Sequence, residues 1–124
     1  MLILKNKAFN KWAAKEAVSD QAIIDAVTEM EKGLFDANLS GHLYKKRVAV
    51  GGKGKSGGVR TLLAFKRGER AFFIYGFAKN VRANIKVDEG KALKKYAAVL
   101  MGYSDKALSK AVQEGALIEV KDEG

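Results

Sequence analysis

The chain has no cysteine and no proline, a single histidine, and only 14 acidic residues against 23 lysines and arginines. Each shortage excludes something. Without cysteine there is no disulfide framework and no thiolate metal site, and no oxidising compartment is needed. His42 is the only imidazole, so no metal-ligand cluster emerges, and its place among polar residues suits an exposed loop better than acid–base catalysis. The longest apolar run, residues 71–78, falls well below the roughly 20 residues a membrane-spanning helix requires. The N-terminus has neither the apolar core nor the cleavage site of a signal peptide, so a soluble, cytoplasmic protein with no membrane partner is expected. No proline-rich linker, internal repeat or low-complexity segment divides the 124 residues, which are expected to form one domain.

The shortage of acids leaves a net charge of +9 and a pI of about 9.8. Such a balance favours an acidic partner, nucleic acid first, although a membrane surface or an acidic protein would satisfy the same charge. Apolar residues make up 48% of the chain, enough for a core of two layers.

The most distinctive stretch is residues 51–60, Gly-Gly-Lys-Gly-Lys-Ser-Gly-Gly-Val-Arg. Glycines let backbone approach a ligand closely, and Lys53, Lys55 and Arg60 make that ligand an anion, most simply a phosphate. A solvated basic hairpin loop is the plainer reading. Gly54-Lys55-Ser56 also resembles a loosened P-loop, but Val59 leads into strand-like residues where that motif needs a helix, so nucleotide binding of that kind is rejected.

Around this loop the chain reads as follows. A first strand at residues 2–4 precedes a short helix capped by Asn6 and carrying Phe9, Trp12 and Ala13 on one face. Ser19 caps a second helix with Ile23, Ile24, Val27, Met30 and Leu34 inward, stopped by Gly33. Residues 34–41 read as a loop. Strands follow at 43–50, 60–65 and 70–78, the last two forming a hairpin and the sheet centre. A helix from Asp88 ends at Gly102, a second is capped by Ser104 and closed by Gly115, and residues 117–120 form a last short strand. The order predicts an α+β domain: a mainly antiparallel sheet, two N-terminal helices and further C-terminal helices, all packed on one side.

Cations gather near the loop: Lys45, Lys46 and Arg47 before it, Lys79 and Arg82 after the last central strand. Alternation places Lys45 and Arg47 on one face of their strand and Tyr44, Lys46 and Val48 on the other. Tyr44, Tyr75 and Phe77 interleave with the cations, a combination that suits single-stranded RNA, with stacking for bases and charge for phosphates. For most of the aromatics in 72–77 the core is the simpler destination.

The run Lys53-Gly54-Lys55-Ser56-Gly57-Gly58-Val59-Arg60, with the strand pair ending Tyr75-Gly76-Phe77-Ala78-Lys79-Asn80, resembles the RelE family of bacterial type II toxin–antitoxin toxins, and more narrowly its RelE/HigB-like branch. The resemblance runs from residue 1 to about 103 and leaves residues 104–124 as a C-terminal extension. It implies a RelE-like α+β fold, cleavage of mRNA in the ribosomal A site without metal or cofactor, and neutralisation by a cognate antitoxin, a small helix-turn-helix protein. It assigns catalysis to Lys53, Lys55 and Arg60, with Arg60 on the phosphorane, and places Lys79 and Arg82 where the family often has further cations; the charge and aromatic pattern adds Lys45, Lys46, Arg47 and Tyr75, so that Lys45, Lys46, Arg47, Tyr75, Lys79 and Arg82 are the expected RNA contacts. Active relatives often carry a tyrosine or histidine near the start of the terminal helix, where this chain has Asn84, Ile85 and Lys86. A catalytically inactive RNA- or antitoxin-binding protein on the same scaffold is therefore the alternative, and a toxin aimed at another target such as DNA gyrase is a third.

Overall fold

A computed structural model describes residues 1–51 and 58–121. Its elements are β1 (Leu2–Asn6), α1 (Lys7–Lys15), α2 (Asp20–Glu31), β2 (Ala37–Asn38), β3 (Leu43–Val48), β4 (Val59–Lys66), β5 (Arg70–Ala78), α3 (Val87–Met101), α4 (Asp105–Gln113) and β6 (Leu117–Glu119). The strands form one sheet in the order β2-β3-β4-β5-β1-β6. β1 runs parallel to β5, and every other pairing is antiparallel. The fold is α+β, as expected, with β4 and β5 at the centre.

The helices cover both faces of the sheet, which corrects the one-sided arrangement expected from the sequence. β4 is buried on both sides, and a strand apolar on both faces must be covered on both. On one face Ile3, Val48, Val59, Leu63, Phe65 and Phe73 pack with Phe9 and Ala13 of α1 and Ile23, Val27 and Met30 of α2. On the other, Leu4, Leu43, Leu62, Ala64, Phe72 and Ile74 pack with Ala97 and Leu100 of α3 and Leu108 of α4. Phe72 and Phe73 are both fully buried on opposite faces; truncating either to alanine is worth about 3–5 kcal/mol.

Local chemistry sets the element boundaries. Asn6 accepts from the Phe9 N–H at 2.7 Å and caps α1, while its amide donates to the Ile74 carbonyl at 3.1 Å, tying the β1–α1 corner to β5. Ser19 and Ser104 cap α2 and α4 in the same way. Gly33 and Gly115 sit just past their helices at positive φ, where glycine carries no Cβ penalty. Residues 34–41, read as a loop, hold the two-residue strand β2, too short to show a period of its own. Gly76 is required by close approach: a Cβ there would lie 2.2 Å from the Trp12 ring, which lies over β5.

One irregularity matters for function. β4 and β5 pair Leu62 with Tyr75 and Leu63 with Phe73, leaving Ile74 as an extra residue. This bulge resets the alternation. Phe73 faces the α1–α2 layer, while Ile74 and Tyr75 both face the α3–α4 layer.

Candidate functional site

The site builds up from three rows of side chains on the α3–α4 face. Leu43, Ala64 and Phe72 form the innermost row, Lys45, Leu62 and Tyr75 the next, and Arg47, Arg60 and Phe77 the outermost, beside the 49–58 connection. The first row lies in the core, while Lys45, Arg60 and Tyr75 are half-buried and Arg47 is exposed. An apolar floor thus gives way to cations toward the glycine-rich loop.

Arg47 and Arg60 are directly opposite one another. Like charges in that position destabilise a strand pair by roughly 0.2–1 kcal/mol unless an anion lies between them. Arg47 is partly neutralised. Asp36 accepts from its backbone N–H at 2.6 Å and from Nε at 2.7 Å. Burial pushes the Asp36 carboxyl upward most strongly, but the two hydrogen bonds from Arg47, with the charges of Arg47 and Lys46, outweigh it and hold Asp36 below its ordinary value. Arg60 has no such relief. Its buried Nη1 finds no hydrogen-bond partner among the described residues, an expensive state for a charged donor.

Tyr75, Phe77 and Arg82 form the adjoining wall. The Tyr75 and Phe77 rings are 6.2 Å apart, and the Arg82 guanidinium lies 5.7 Å from the Phe77 ring centroid. Arg82 donates to the Tyr75 hydroxyl at 3.0 Å, to the Asn84 carbonyl at 3.0 Å, and to both carboxylate oxygens of Glu89. This two-pronged pairing pulls the Glu89 pKa down to about 2, with the Lys86 backbone N–H contributing next, and raises that of Arg82.

Sequence reasoning did not single out Glu89. Its signal was its place in the first turn of α3, where a carboxylate suits the helix dipole. The contact with Arg82 depends on the path of residues 79–86, which no spacing rule supplies.

The other expected residues divide. Lys46 lies on the α1–α2 face, with only 4% of its side chain exposed, and donates to Glu29 at 2.7 Å and to the Leu34 carbonyl at 2.9 Å. It is a core ion pair, not part of the cationic row, because the alternation that points Lys45 and Arg47 one way points Lys46 the other. Lys79 is exposed and lines a pocket of about 820 Å³ on the α1 side, with Lys15, Glu16, Val50, Gly58 and Ala78. Lys53 and Lys55 lie outside the described residues. His42 is exposed at positive φ, with its carbonyl accepting from the Phe65 N–H. Among the described residues no group of three potential metal ligands occurs, and no helix is long and apolar enough to cross a membrane.

The family model described as "RelE toxin of RelE / RelB toxin-antitoxin system" matches residues 1–120. The chain belongs to the RelE toxin family. A toxin role within a toxin–antitoxin system follows, and with it an antitoxin as partner. No curated protein matches the chain. The RelE match runs through α4 and β6, and β6 pairs with β1 at one edge of the sheet.

Proposed function

We propose that this RelE family member is a ribosome-dependent endoribonuclease that cuts mRNA in the A site, works in the cytoplasm, and is silenced by a small helix-turn-helix antitoxin. One observation carries the reading. Of the five arginines, Arg47, Arg67, Arg70 and Arg82 each donate to a protein oxygen, while Arg60 alone finds no acceptor among the described residues. A guanidinium left without an acceptor opposite a second guanidinium suits a phosphate, with its several acceptor oxygens and its charge.

In this reading the RNA 2′-hydroxyl attacks the adjacent phosphorus and the bond to the 5′-oxygen breaks, leaving a 2′,3′-cyclic phosphate and a 5′-hydroxyl. Arg60 stabilises the charge gathering on the phosphorane oxygens. Lys53 and Lys55, on the same loop, orient the nucleophile or take its proton, and neighbouring cations lower a lysine pKa toward that task. Tyr75 offers ring surface for a base, and Lys45, Arg47, Lys79 and Arg82 supply charge for the strand. Residues 1–124 act as one toxin domain with 104–124 as its C-terminal extension, in which β6 adds a strand to the sheet.

The alternative, a RelE-like protein that binds RNA or antitoxin without cutting, is favoured by the start of α3. There Asn84, Ile85, Lys86 and Val87 provide no tyrosine or histidine, and Glu89 neutralises Arg82.

Primer-extension mapping on programmed ribosomes separates the two. Cuts in the A-site codon made by the wild type and absent from a Lys53→Ala, Lys55→Ala, Arg60→Ala variant are expected. No cuts, from folded protein free of antitoxin, would establish the binding-only reading.

A further inference from the structure

A second cationic site lies beside the one described. A pocket of about 330 Å³ opens at the N-terminal half of α3, lined by Lys45, Lys86, Lys91 and Lys94, by Asn84, and by Leu39, Ile85, Val87 and Gly90. None of these four lysines makes an ion pair with a described residue. Of the neighbouring carboxylates, Glu89 and Asp36 are committed elsewhere, and Asp88 is exposed and outside the lining. Glu89 is held by Arg82 and by the Lys86 backbone N–H, and Asp36 is held by Arg47. Four lysines thus line one concavity with no carboxylate in its lining, a ready receptor for an anion.

The pocket continues the cationic row. Lys45 lines it, and Lys45 shares a strand face with Arg47, two residues and about 7 Å further along β3. An extended strand leaving the Arg47–Arg60 pair passes over Lys45 and reaches the α3 lysines. The pocket is also not purely polar. Leu39 and Ile85 are half-buried, and Val87 is 79% exposed at its edge, offering apolar surface of the kind a sugar or base covers.

We infer that the α3 pocket is a phosphate subsite that holds the backbone of the RNA strand one or more nucleotides away from the bond at Arg60. The inference rests on the nuclease reading for the position of that bond, but not for the existence of the subsite. Lys91 and Lys94 grip the phosphate from the helix and Lys45 from the sheet, while Ile85 and Val87 support the nucleoside. The subsite increases binding and orients the strand. It takes no part in bond breaking.

The test uses a fluorescent single-stranded RNA with every 2′-hydroxyl methylated, so that it cannot be cut, titrated with wild-type protein, Lys91→Gln/Lys94→Gln and Lys91→Arg/Lys94→Arg over a range of salt. The glutamine pair is expected to bind about 10-fold more weakly and to flatten the plot of log K against log salt by roughly 0.7 for each phosphate that the protein no longer neutralises. The arginine pair is expected to retain both affinity and slope. Melting curves establish that each variant is folded, and Lys91 is exposed enough that its change alone serves if the pair is unstable. Equal affinity and slope for the glutamine pair and the wild type overturn the subsite, even where Arg60→Ala still abolishes cleavage on ribosomes. Wild type that binds no RNA overturns it too. So does a glutamine pair that loses binding to polyglutamate while keeping its RNA affinity, since the pocket then belongs to an acidic protein.

Discussion

Arg60 should be a residue whose removal stabilises the free protein while destroying its function. The relevant change is Arg60→Met, which keeps an unbranched stem on β4 and deletes the guanidinium. Two penalties disappear. The like-charge pairing with Arg47 across β3 and β4 costs roughly 0.2–1 kcal/mol. The buried Nη1 without a partner among the described residues carries about 1–3 kcal/mol for an unsatisfied donor. Some of the second sum is recovered by partial hydration, since Arg60 is only half-buried, and a net gain of about 1–2 kcal/mol is expected. For a chain of this length that raises Tm by about 4–8 °C. Inorganic phosphate supplies the counter-experiment. An anion bound to the native state alone adds about 1.4 kcal/mol at a concentration ten times its dissociation constant, so phosphate should raise the wild-type Tm and leave Arg60→Met much less affected. Differential scanning calorimetry with and without phosphate, beside cleavage mapping on ribosomes, reads both effects. A variant that melts below wild type, or one that responds to phosphate as wild type does, refutes the claim that Arg60 is held in wait for an anion.

Three further predictions concern residues around the site. Lys46→Met should lower stability by about 1–2 kcal/mol, less than a fully buried pair because Glu29 retains contact with solvent, and should leave cleavage intact; unchanged stability with lost cleavage would return Lys46 to the RNA surface. Ala17 occupies the position after α1 at φ 58°, with the Val18 N–H closing on the Ala13 carbonyl at 2.9 Å. Replacing a left-handed alanine, strained by about 1–2 kcal/mol, with glycine should gain about 0.5–1 kcal/mol after the entropy of the unfolded chain is counted, as denaturant titration will show. The Arg82–Glu89 pairing should be sensitive only to acid. The Glu89 pKa lies at about 2 in the fold, below its unfolded value of about 4.3, so its stabilising effect is complete above the unfolded value and fades as pH falls through the folded one. Tyr75 fluorescence should hold steady from neutral pH down through the unfolded value and change only as pH approaches about 2, whereas Glu89→Gln should remove that acid transition; a transition that persists in the variant belongs to another carboxylate.

Much of the scaffold was readable from local chemistry. Asn6, Ser19 and Ser104 act as helix caps because a side-chain oxygen near a free backbone N–H needs no distant partner. Gly33 and Gly115 follow α2 and α4 at positive φ for an equally local reason, and Gly102 is the C-cap of α3. The long apolar strands β4 and β5 announced the sheet centre, and alternation put Lys45 and Arg47 on one face and Lys46 on the other before any fold was known. Even so, alternation alone did not strike Lys46 from the RNA-contacting set. Its partner, Glu29, lies 17 residues away on α2, and only packing α2 against β3 brings the two together.

Three matters belonged to the tertiary structure. The helices divide between the two faces because each face of β4 carries its own apolar surface, and a sequence pattern does not say which helix covers which. The side on which Tyr75 lies depends on the bulge at Ile74, since one extra residue moves every later side chain of β5 to the opposite face. Without that bulge, Tyr75 and Phe77 would point away from Arg60. Finally, the state of two arginines depends on carboxylates far along the chain, Asp36 for Arg47 and Asp105 for Arg70. The sequence by itself determined that cations and glycines lie next to one another between apolar strands, because those features follow from residue type and spacing. Which cation stays unneutralised was decided by the fold, because charge compensation acts through space.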